Sequence, residues 1–298
     1  MEIKSKINFI GIGVQKAATT FIFKKLAEHP EVCGSSKKEI HFFDKEYNYS
    51  KGIKFYHSFF QHCSDSKIKG EFTPRYIYHP KTASRIKKHF PNVKLIVCLR
   101  NPIERARSHY FYSLQQKGRL FYLYNSFGEA IRKDKILIER GFYYKQLKRY
   151  FDLFPKENIL VLFFEDLKSN PKNFIQKIYS FLDVDDNFVP SNIKEKKHVT
   201  GDKIVKEKFP FLNFVLYKLR SLIKENSLID IILEKLFIKK FFKKITIFNK
   251  QTVKNKDNLN IKKKKINQKE RDYLIDIYKE DINKLEKLLN IDLSNWKK

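Results

Sequence analysis

The sequence predicts an α/β fold with an open parallel sheet flanked by helices, followed by a helical C-terminal subdomain. Short apolar runs alternate with helical patterns through the first 185 residues, which is typical of a parallel sheet. The first apolar run, residues 7–14, leads through a polar loop directly into a helical pattern. Beyond residue 185 the pattern changes to amphipathic helical segments and lysine-rich stretches. We therefore predict one domain over residues 1–298, with an α/β core in 1–185 and a mostly helical part in 186–298.

Each element has its own sequence signal. Apolar runs predict strands at residues 7–14, 31–33, 68–72, 93–99 and 158–164. Helical periodicity predicts helices at residues 21–26, 48–61, 81–90 and 171–182, and Pro102 is placed to open a further helix. In the C-terminal part we predict a basic connector at 191–208, two amphipathic helices at 209–248, a loop at 250–265 and a last helix at 268–289.

Composition restricts the class of protein further. The formal net charge of +29 favours anionic partners such as a nucleotide, an acidic polymer or an acidic membrane surface. Cys33, Cys63 and Cys98 match no metal or disulfide pattern, so we expect a reducing compartment and a cytoplasmic protein. No apolar run approaches the ~20 residues of a membrane-spanning helix. We expect the first run to be a core strand and not a signal peptide.

The loop after the first strand has the chemistry of an anion site. A strand, a tight turn and a helix N-terminus present backbone N–H groups at the positive end of a helix dipole. Lys16 adds a full positive charge, and Thr19 and Thr20 add hydroxyl donors. The arrangement is P-loop-like, but the G-x-x-x-x-G-K-[ST] sequence of a Walker A loop is missing. On the loop alone, an ordinary strand-to-helix turn with a surface lysine is an equally good interpretation.

Charged residues also follow other predicted strands, at the edge where open parallel sheets bind ligands. In residues 37–44, the carboxylate of Glu39 and the imidazole of His41 stand two residues apart among aromatic side chains. A carboxylate beside apolar rings is a candidate general base. The alternative is that Glu39 simply pairs with a neighbouring lysine on the surface. Residues 70–76 form another strand end that brings a charged residue toward the same crevice.

Residues 99–110 form the third segment of this kind. Arg100 leaves the end of a buried strand, and Ser108 lies two turns into the next helix. The planar guanidinium of arginine suits a phosphate, and serine supplies a neutral donor. We expect Arg105 and Arg107, by contrast, to lie on a solvated helix face.

Taken together, these segments resemble the sulfotransferases that use 3′-phosphoadenosine 5′-phosphosulfate (PAPS), most of all their heparan-sulfate-type and bacterial carbohydrate branch. VQKAATT is similar to the family's 5′-phosphosulfate loop, and LRNPIERARSHY to its 3′-phosphate signature. KEIHFFD is similar to the segment with the acceptor-activating glutamate, and GFYYKQLKRYFDLFPKENILVLFFEDL to the next helix and strand. The resemblance covers residues 7–185 and 268–296.

The resemblance implies a role for each matched residue. Lys16 would bind the bridging oxygen of the phosphosulfate. Glu39 would accept the proton of the acceptor, with His41 as the reserve candidate. Arg100 and Ser108 would bind the 3′-phosphate. The 5′-phosphate would be held by the backbone N–H groups and hydroxyls of Ala17, Ala18, Thr19 and Thr20. We expect no metal, since no Cys/His cluster has ligand spacing.

One position departs from the family pattern. Polysaccharide members often have a lysine after the glutamate of the strand that matches Gly70 and Glu71, and here that position is Phe72. The contact made by that lysine is absent or is supplied elsewhere, for which Arg75 is the candidate. This departure weakens the expectation of a heparan-type acceptor more than the expectation of sulfuryl transfer.

The expected partners are PAPS, or its product 3′-phosphoadenosine 5′-phosphate (PAP), and a glycan or small-molecule acceptor with a hydroxyl or amine. Two alternatives stay open: a P-loop-type nucleotide kinase, and a non-enzymatic basic protein that binds nucleic acid or acidic membrane. The missing G-K-[ST] argues against the kinase. We find no nucleic-acid-binding motif. The lysines at 235–244 lie among apolar residues, as in a helix that contacts acidic membranes, but we favour a helix that packs in the core or covers the acceptor site, because apolar stripes more often pack inward.

Overall fold

The computed structural model describes residues 6–63, 68–116, 119–193, 203–207, 211, 215, 250–254 and 266–298. They belong to two compact units, one made of residues 1–105, 142–197 and 278–298 and the other of residues 106–141 and 198–277. All predicted site residues except Ser108 lie in the first unit. The two amphipathic helices predicted at 209–248 lie outside the described residues, apart from positions 211 and 215.

A parallel sheet forms the centre of the first unit. Its strands are β1 (Phe9–Gly13), β2 (Val32–Gly34), β3 (Ile68–Phe72), β4 (Lys94–Leu99) and β5 (Ile159–Phe163). They lie in the order β2-β3-β1-β4-β5, and every neighbouring pair is parallel. Every residue of the central strand β1 is buried, as expected for a strand with partners on both sides. The predicted α/β class with an open parallel sheet is confirmed.

Helices connect and flank these strands. They are α1 (Thr19–Ala27), α2 (Glu46–Tyr49), α3 (Ile53–His57), α4 (Thr82–His89), α5 (Pro102–Gln115), α6 (Arg119–Leu123), α7 (Phe127–Lys133), α8 (Lys135–Glu139), α9 (Tyr143–Phe151), α10 (Phe164–Ser169), α11 (Pro171–Leu182) and α12 (Gln268–Leu289). Short 3-10 turns lie at Ser58–Phe60, Lys156–Asn158 and Ser294–Lys297. The helix α5 begins in the first unit and ends in the second, and α12 does the reverse.

Two predictions of elements need correction. The helix predicted at 48–61 is divided, because Gly52 has a φ of 77° that a continuing helix does not accept. The predicted connector at 191–208 and the predicted loop at 250–265 each contain a strand. These strands, β6 (Lys203–Glu207) and β7 (Lys250–Lys254), pair antiparallel in the second unit.

Aromatic rings fill the core where the strands carry glycine. A Cβ on Gly11 would lie 2.0 Å from the ring of Phe72, and one on Gly70 would lie 2.4 Å from the ring of Phe9. Both rings are fully buried, so each glycine provides the space that a ring occupies. Phe72, which stands where the family resemblance predicts a lysine, is therefore a core residue here.

Arg105 is fully buried, which corrects the prediction that it lies on a solvated face. Its guanidinium lies near Tyr143 and Tyr278, two buried tyrosines. Burial raises the pKa of Tyr278 to about 12, although the charge of Arg105 and its hydrogen bond act in the opposite direction. Arg107 lies partly exposed, with its guanidinium 5.3 Å from the centre of the Phe111 ring.

Cys33 and Cys63 form a disulfide with a Cα–Cα distance of 5.8 Å. The expectation that the cysteines match no disulfide pattern is therefore wrong for this pair, which 30 positions separate in sequence. Cys98 is a buried free thiol in β4. Since the argument for a reducing compartment rested on the cysteines, the cytoplasmic location stays a prediction without that support. No helix in the described part of the chain combines the length and apolar character that crossing a membrane requires.

We expect reduction of the Cys33–Cys63 disulfide to lower the free energy of unfolding by roughly 3–4 kcal/mol, the chain-entropy value for a closed loop of this length. Urea denaturation with and without a thiol reductant measures the loss. In the control variant C33A/C63A, the reductant should leave the midpoint unchanged. An equal midpoint for the wild-type protein under both conditions would contradict a stabilising role for the disulfide.

Candidate active site

The loop between β1 and α1 has the backbone geometry of an anion-binding turn. Lys16 has a φ of 73° and Ala18 a φ of 56°, both in the left-handed region. Such conformations cost about 1–3 kcal/mol in a non-glycine residue and are concentrated at functional sites. Alternating right- and left-handed residues direct successive N–H groups into one concavity. The helix α1 begins at Thr19, two residues before its predicted start, so Thr19 and Thr20 belong to its first turn.

Arg100 lies next to this loop, as its position at a strand end predicts. Its Nη1 donates to the backbone carbonyl of Lys16 at 2.9 Å. The pairing of β1 with β4 brings the two together, because the carboxyl ends of parallel neighbours meet at one edge. The hydroxyl of Tyr143 donates to the carbonyl of Arg100 at 2.8 Å, and the Phe164 ring lies 4.5 Å from the guanidinium carbon.

The charge state of Lys16 reflects this environment. Burial, and then the positive charge of Arg100, lower the pKa of the Lys16 ammonium to about 8. Two cations held close together in a partly buried loop repel each other, and a bound anion would relieve that repulsion. The loop and the strand-end arginine are thus electrostatically suited to one anionic ligand.

Glu39, His41 and Asp44 form a hydrogen-bonded chain. His41 Nε2 lies 3.1 Å from Glu39 Oε2, and His41 Nδ1 lies 3.0 Å from Asp44 Oδ2. Burial lowers the pKa of His41, but its hydrogen bonds to Asp44 and Glu39 raise it more, so the net shift is upward. The Asp44 carboxylate therefore fixes the ring and favours the imidazolium, which places a positive charge against Glu39. The ion pair with a neighbouring lysine that the alternative predicts is also present, since Lys38 Nζ lies 3.9 Å from Glu39 Oε1, but that pair does not account for the contact with His41.

Lys38 connects the hydrogen-bonded chain of Glu39, His41 and Asp44 to the loop between β1 and α1. Its Nζ lies 3.5 Å from Thr20 Oγ1 and 3.9 Å from Glu39 Oε1. Burial lowers the pKa of Lys38 by more than the charges of Glu39 and Glu71 raise it, so the net shift is downward. Lys38 was absent from the sequence-predicted site. One of many lysines in a strongly basic chain gives no signal of its own, and only the meeting of two loops singles it out.

Arg75 points to the acid–base chain. Its Nε lies 3.4 Å from Asp44 Oδ2, and Asp44 is buried. Burial raises the pKa of Asp44, but the hydrogen bond and charge of His41, together with the charge of Arg75, lower it more. Arg75 therefore helps to keep Asp44 ionised. Its suggested role as the replacement for the family lysine stays a prediction.

Glu71 lies below the same chain and is fully buried in β3. Thr73 Oγ1 donates to its Oε2 at 2.6 Å, and the hydroxyl of Tyr76 donates to its Oε1 at 2.7 Å. Burial raises the pKa of Glu71 to about 7, in spite of these two hydrogen bonds. The sequence indicated a charged residue near the crevice but not that it would be inaccessible to solvent.

Ser108 lies on α5 within the second unit, so its predicted contact with a 3′-phosphate stays a prediction. The expectation of no metal-ligand spacing also needs a correction, because ligand atoms of Cys33, His62 and Cys63 lie within 4.8 Å of one another. The two sulfurs of this group are joined in the disulfide.

An open parallel sheet with an anion loop, a strand-end arginine and an adjacent carboxylate–imidazole chain defines an α/β protein with an anion-binding site beside acid–base groups. Residues 7–203 match the sulfotransferase domain family. The chain therefore belongs to that family, as the resemblance of its motifs predicts.

Individual relatives agree with this assignment. The membrane-associated sulfotransferase kil1 of Dictyostelium discoideum is 39% identical over 137 residues, covering 44% of this chain and 29% of the relative. The human heparan sulfate glucosamine 3-O-sulfotransferase 5 is 30% identical over 181 residues, covering 58% of this chain and 52% of the relative. The matched regions thus span about half or less of these two relatives. A sulfotransferase crystal structure from Alicyclobacillus acidocaldarius shares the fold, with a TM-score of 0.68 and 22% identity over 99% of this chain and 100% of that one.

We expect the buried Glu71 to make stability depend on pH. Its pKa is about 7 in the folded protein and 4.5 as its ordinary value, so the folded state holds its proton more tightly. The stability that this provides is present below pH 4.5 and is lost as the pH rises through 7. The unfolding free energy of E71Q minus that of the wild type should therefore rise by about 3 kcal/mol from pH 4.5 to pH 8. Urea titrations across this range measure the difference, and a constant difference would contradict the raised pKa.

Proposed function

We propose that this protein is a PAPS-dependent sulfotransferase that sulfates a hydroxyl or amine of a carbohydrate acceptor. The observation that carries the proposal is the hydrogen bond from Arg100 to the Lys16 carbonyl at 2.9 Å. It joins the two groups that a nucleotide with phosphates on both its 3′ and 5′ positions requires. Lys38 then connects the loop to the candidate base through its 3.5 Å contact with Thr20. Membership of the sulfotransferase family supports the same assignment.

The residues present fit such a donor. The N–H groups of Ala18, Thr19 and Thr20 and the threonine hydroxyls suit the 5′-phosphate, whereas the N–H of Ala17 donates to the carbonyl of Val14 at 3.2 Å. Arg100 suits the 3′-phosphate, and the contribution of Ser108 stays a prediction. When bound, PAPS supplies the sulfuryl group together with the phosphate oxygen that leaves. The ammonium of Lys16 provides positive potential where that oxygen gains charge.

The acid–base chain provides the proton acceptor. Glu39 takes the proton from the acceptor hydroxyl or amine, and His41 beside it, held by Asp44, stabilises the ionised carboxylate until that moment. His41 stays the reserve candidate for the base, a role that requires its neutral imidazole. The assigned roles use no metal.

The names of the relatives support the proposed acceptor class. Heparan sulfate glucosamine 3-O-sulfotransferases are named for a sugar acceptor, and several of them match this chain at 30% identity. A glycan is therefore our proposed acceptor, with a small alcohol or a lipid-linked sugar as the second candidate. A cytoplasmic location, and peripheral contact with acidic membranes through lysines at 235–244, stay predictions.

Ligand-induced thermal stabilisation tests the donor. PAP should raise the melting temperature, whereas ATP with magnesium should raise it less at equal concentration, since the G-K-[ST] of a kinase loop is missing. Stabilisation by ATP with magnesium alone would favour the nucleotide kinase instead. Transfer from radiolabelled PAPS to a panel of sugars and glycolipids then identifies the acceptor, and labelling of none of them by a protein that binds PAP would contradict the proposed activity.

We expect K16A to raise the activation free energy of transfer by about 3–4 kcal/mol and so to lower kcat. This is the magnitude for loss of one preorganised donor to a developing oxyanion. The measurement is the initial rate of sulfuryl transfer at saturating PAPS. K54A, at an exposed lysine of α3, is the matched control and should retain full activity. Near-normal turnover by K16A would refute the role of Lys16.

We expect E39Q to abolish transfer and to leave the affinity for PAP nearly intact, because the amide cannot accept the proton but keeps the size of the side chain. Isothermal titration with PAP, run beside the transfer assay, separates binding from chemistry. E157Q, at an exposed glutamate, serves as the control. If PAP affinity fell as much as turnover, Glu39 would be a structural residue.

A further inference from the structure

Glu71 has no part in the roles assigned so far, yet it lies directly below the segment that carries the candidate base. A fully buried carboxyl is unfavourable unless its environment compensates for lost hydration. The hydroxyls of Thr73 and Tyr76 provide that compensation by donating to its two oxygens. Both of these side chains are themselves fully buried. The three groups form a polar cluster inside the core, and the buried hydroxyl of Tyr56 lies beside it.

Each hydroxyl also contacts the backbone of the base-carrying segment. The N–H of His41 donates to Thr73 Oγ1 at 3.4 Å, and the N–H of Phe42 donates to the hydroxyl oxygen of Tyr76 at 3.0 Å. A hydroxyl has one hydrogen, so a hydroxyl that donates to Glu71 presents only its lone pairs to the backbone. Two hydrogen-bonded relays therefore start at the Glu71 carboxylate. One runs through the Thr73 hydroxyl to the N–H of His41, and the other runs through the Tyr76 hydroxyl to the N–H of Phe42.

The segment needs such support because its conformation is unfavourable. His41 has a φ of 58°, a left-handed conformation that a non-glycine residue keeps only when its surroundings hold it. Asn48 holds the opposite side, since its Nδ2 donates to the carbonyl of His41 at 2.8 Å and to that of Ile40 at 3.4 Å. The relays and Asn48 together fix the peptide groups on both sides of His41.

The turn that carries the two hydroxyls is itself anchored to the sheet. The N–H of Thr73 donates to the carbonyl of Gly11 in β1 at 2.9 Å. The buried hydroxyl of Tyr150 donates to the carbonyl of Tyr76 at 2.8 Å. The relays therefore transmit the position of a rigid element to the segment that they hold.

We propose that Glu71 is a positioning residue whose carboxylate sets the direction of both relays and thereby fixes the backbone of His41 and Phe42, on which the Glu39–His41–Asp44 chain depends. This inference rests on the proposed function and deepens it. Glu71 touches neither donor nor acceptor and acts through the segment alone.

The protonation state of Glu71 decides whether both relays exist. A carboxylate accepts from both hydroxyls, whereas a carboxylic acid or an amide is a donor toward one of them. The hydroxyl that faces the donor group of residue 71 no longer has an acceptor for its own hydrogen. A buried hydroxyl hydrogen without a partner is unfavourable enough to move that hydroxyl from its position. Its bond to the backbone N–H weakens as a result. The titratable groups that face Glu71 are Lys38, His41, Asp44, Tyr56 and Tyr76.

The variant E71Q tests the proposal, because it keeps the size of the side chain and imitates the protonated form. We expect kcat to fall about ten- to hundredfold, with PAP affinity within about twofold of wild type. In hydrogen–deuterium exchange at pH 8, peptides that contain His41 and Phe42 should exchange faster than in wild type, while peptides from β4 should not. E157Q should match wild type in all three measurements.

The pH dependence separates positioning from mere stability. In wild type, protection of the His41 and Phe42 amides should fall as the pH drops from 8 to 6, after correction for intrinsic exchange, because Glu71 then gains its proton. E71Q should show low protection at both pH values. T73V provides a second variant if E71Q fails to fold, since it removes only the relay to His41 and should affect that amide more than the next one.

Three results would overturn the proposal: unchanged protection of the segment in E71Q and T73V, equal loss of protection in the segment and in β4, or a loss of PAP affinity as large as the loss of kcat. Failure of the proposed function has a different signature. Wild type would then show no PAPS-dependent transfer, but its exchange at pH 6 and pH 8 would still report whether the relays hold the segment.

Discussion

The hydrogen bond between the Arg100 guanidinium and the Lys16 carbonyl is the interaction on which the site depends. It exists because β1 and β4 are neighbours in a parallel sheet, so the loops that leave their carboxyl ends meet. The bond holds a loop with two left-handed residues against the end of a buried strand. It acts together with the N–H of Val14, which donates to the carbonyl of Cys98 in β4 at 3.0 Å, and with the N–H of Ala17, which donates to the carbonyl of Val14 at 3.2 Å. At the other end of the turn, α1 begins at Thr19, and Thr20 contacts Lys38.

The acid–base side of the site follows a different physical rule. Here three carboxyls, those of Glu39, Asp44 and Glu71, lie near one another in a chain with a large positive net charge. Their ionisation is tuned by local partners, since burial and hydrogen bonds outweigh distant surface charge at these separations. Arg75 and His41 keep Asp44 charged, whereas the hydrogen bonds to Glu71 come from hydroxyls, and burial raises its pKa to about 7. The net charge of the protein therefore does not predict which of these carboxyls is ionised.

Much of the fold could be predicted from the sequence, because hydrophobic periodicity and the residues that begin and end helices and strands are local signals. The bounds of β3, α11 and α12 agree with the patterns at 68–72, 171–182 and 268–289. The meeting of Lys16 with Arg100 also follows from a general rule about parallel sheets. Features that depend on distant partners could not be predicted. Arg105 is buried against Tyr278, far along the chain, and a helical pattern that begins after a strand does not reveal which face that partner covers.

Pairings between remote segments escaped prediction for the same reason. Cys33 and Cys63 meet because β2 and the turn after α3 adjoin in space, and β6 finds β7 across more than forty residues. Within the site, Lys38 and Glu71 acquire their importance only when the segment at 37–44 folds over the end of β3. The sequence therefore revealed the site residues that follow strands. It did not reveal Lys38 and Glu71, whose surroundings come from segments that are distant in sequence.

The disulfide encloses the acid–base machinery in a covalent ring. Glu39, His41, Asp44 and Asn48 all lie between Cys33 and Cys63, while Lys16 and Arg100 lie outside. On the proposed function, the acceptor half and the donor half of the chemistry are therefore topologically separate parts of one chain. An insertion at the exposed turn of residues 50–52 would lengthen the ring at little entropic cost, since the penalty for closing a loop grows slowly with its length. Such a ring is a natural unit of divergence, in which recognition of a new acceptor can arise while nucleotide capture stays as it is.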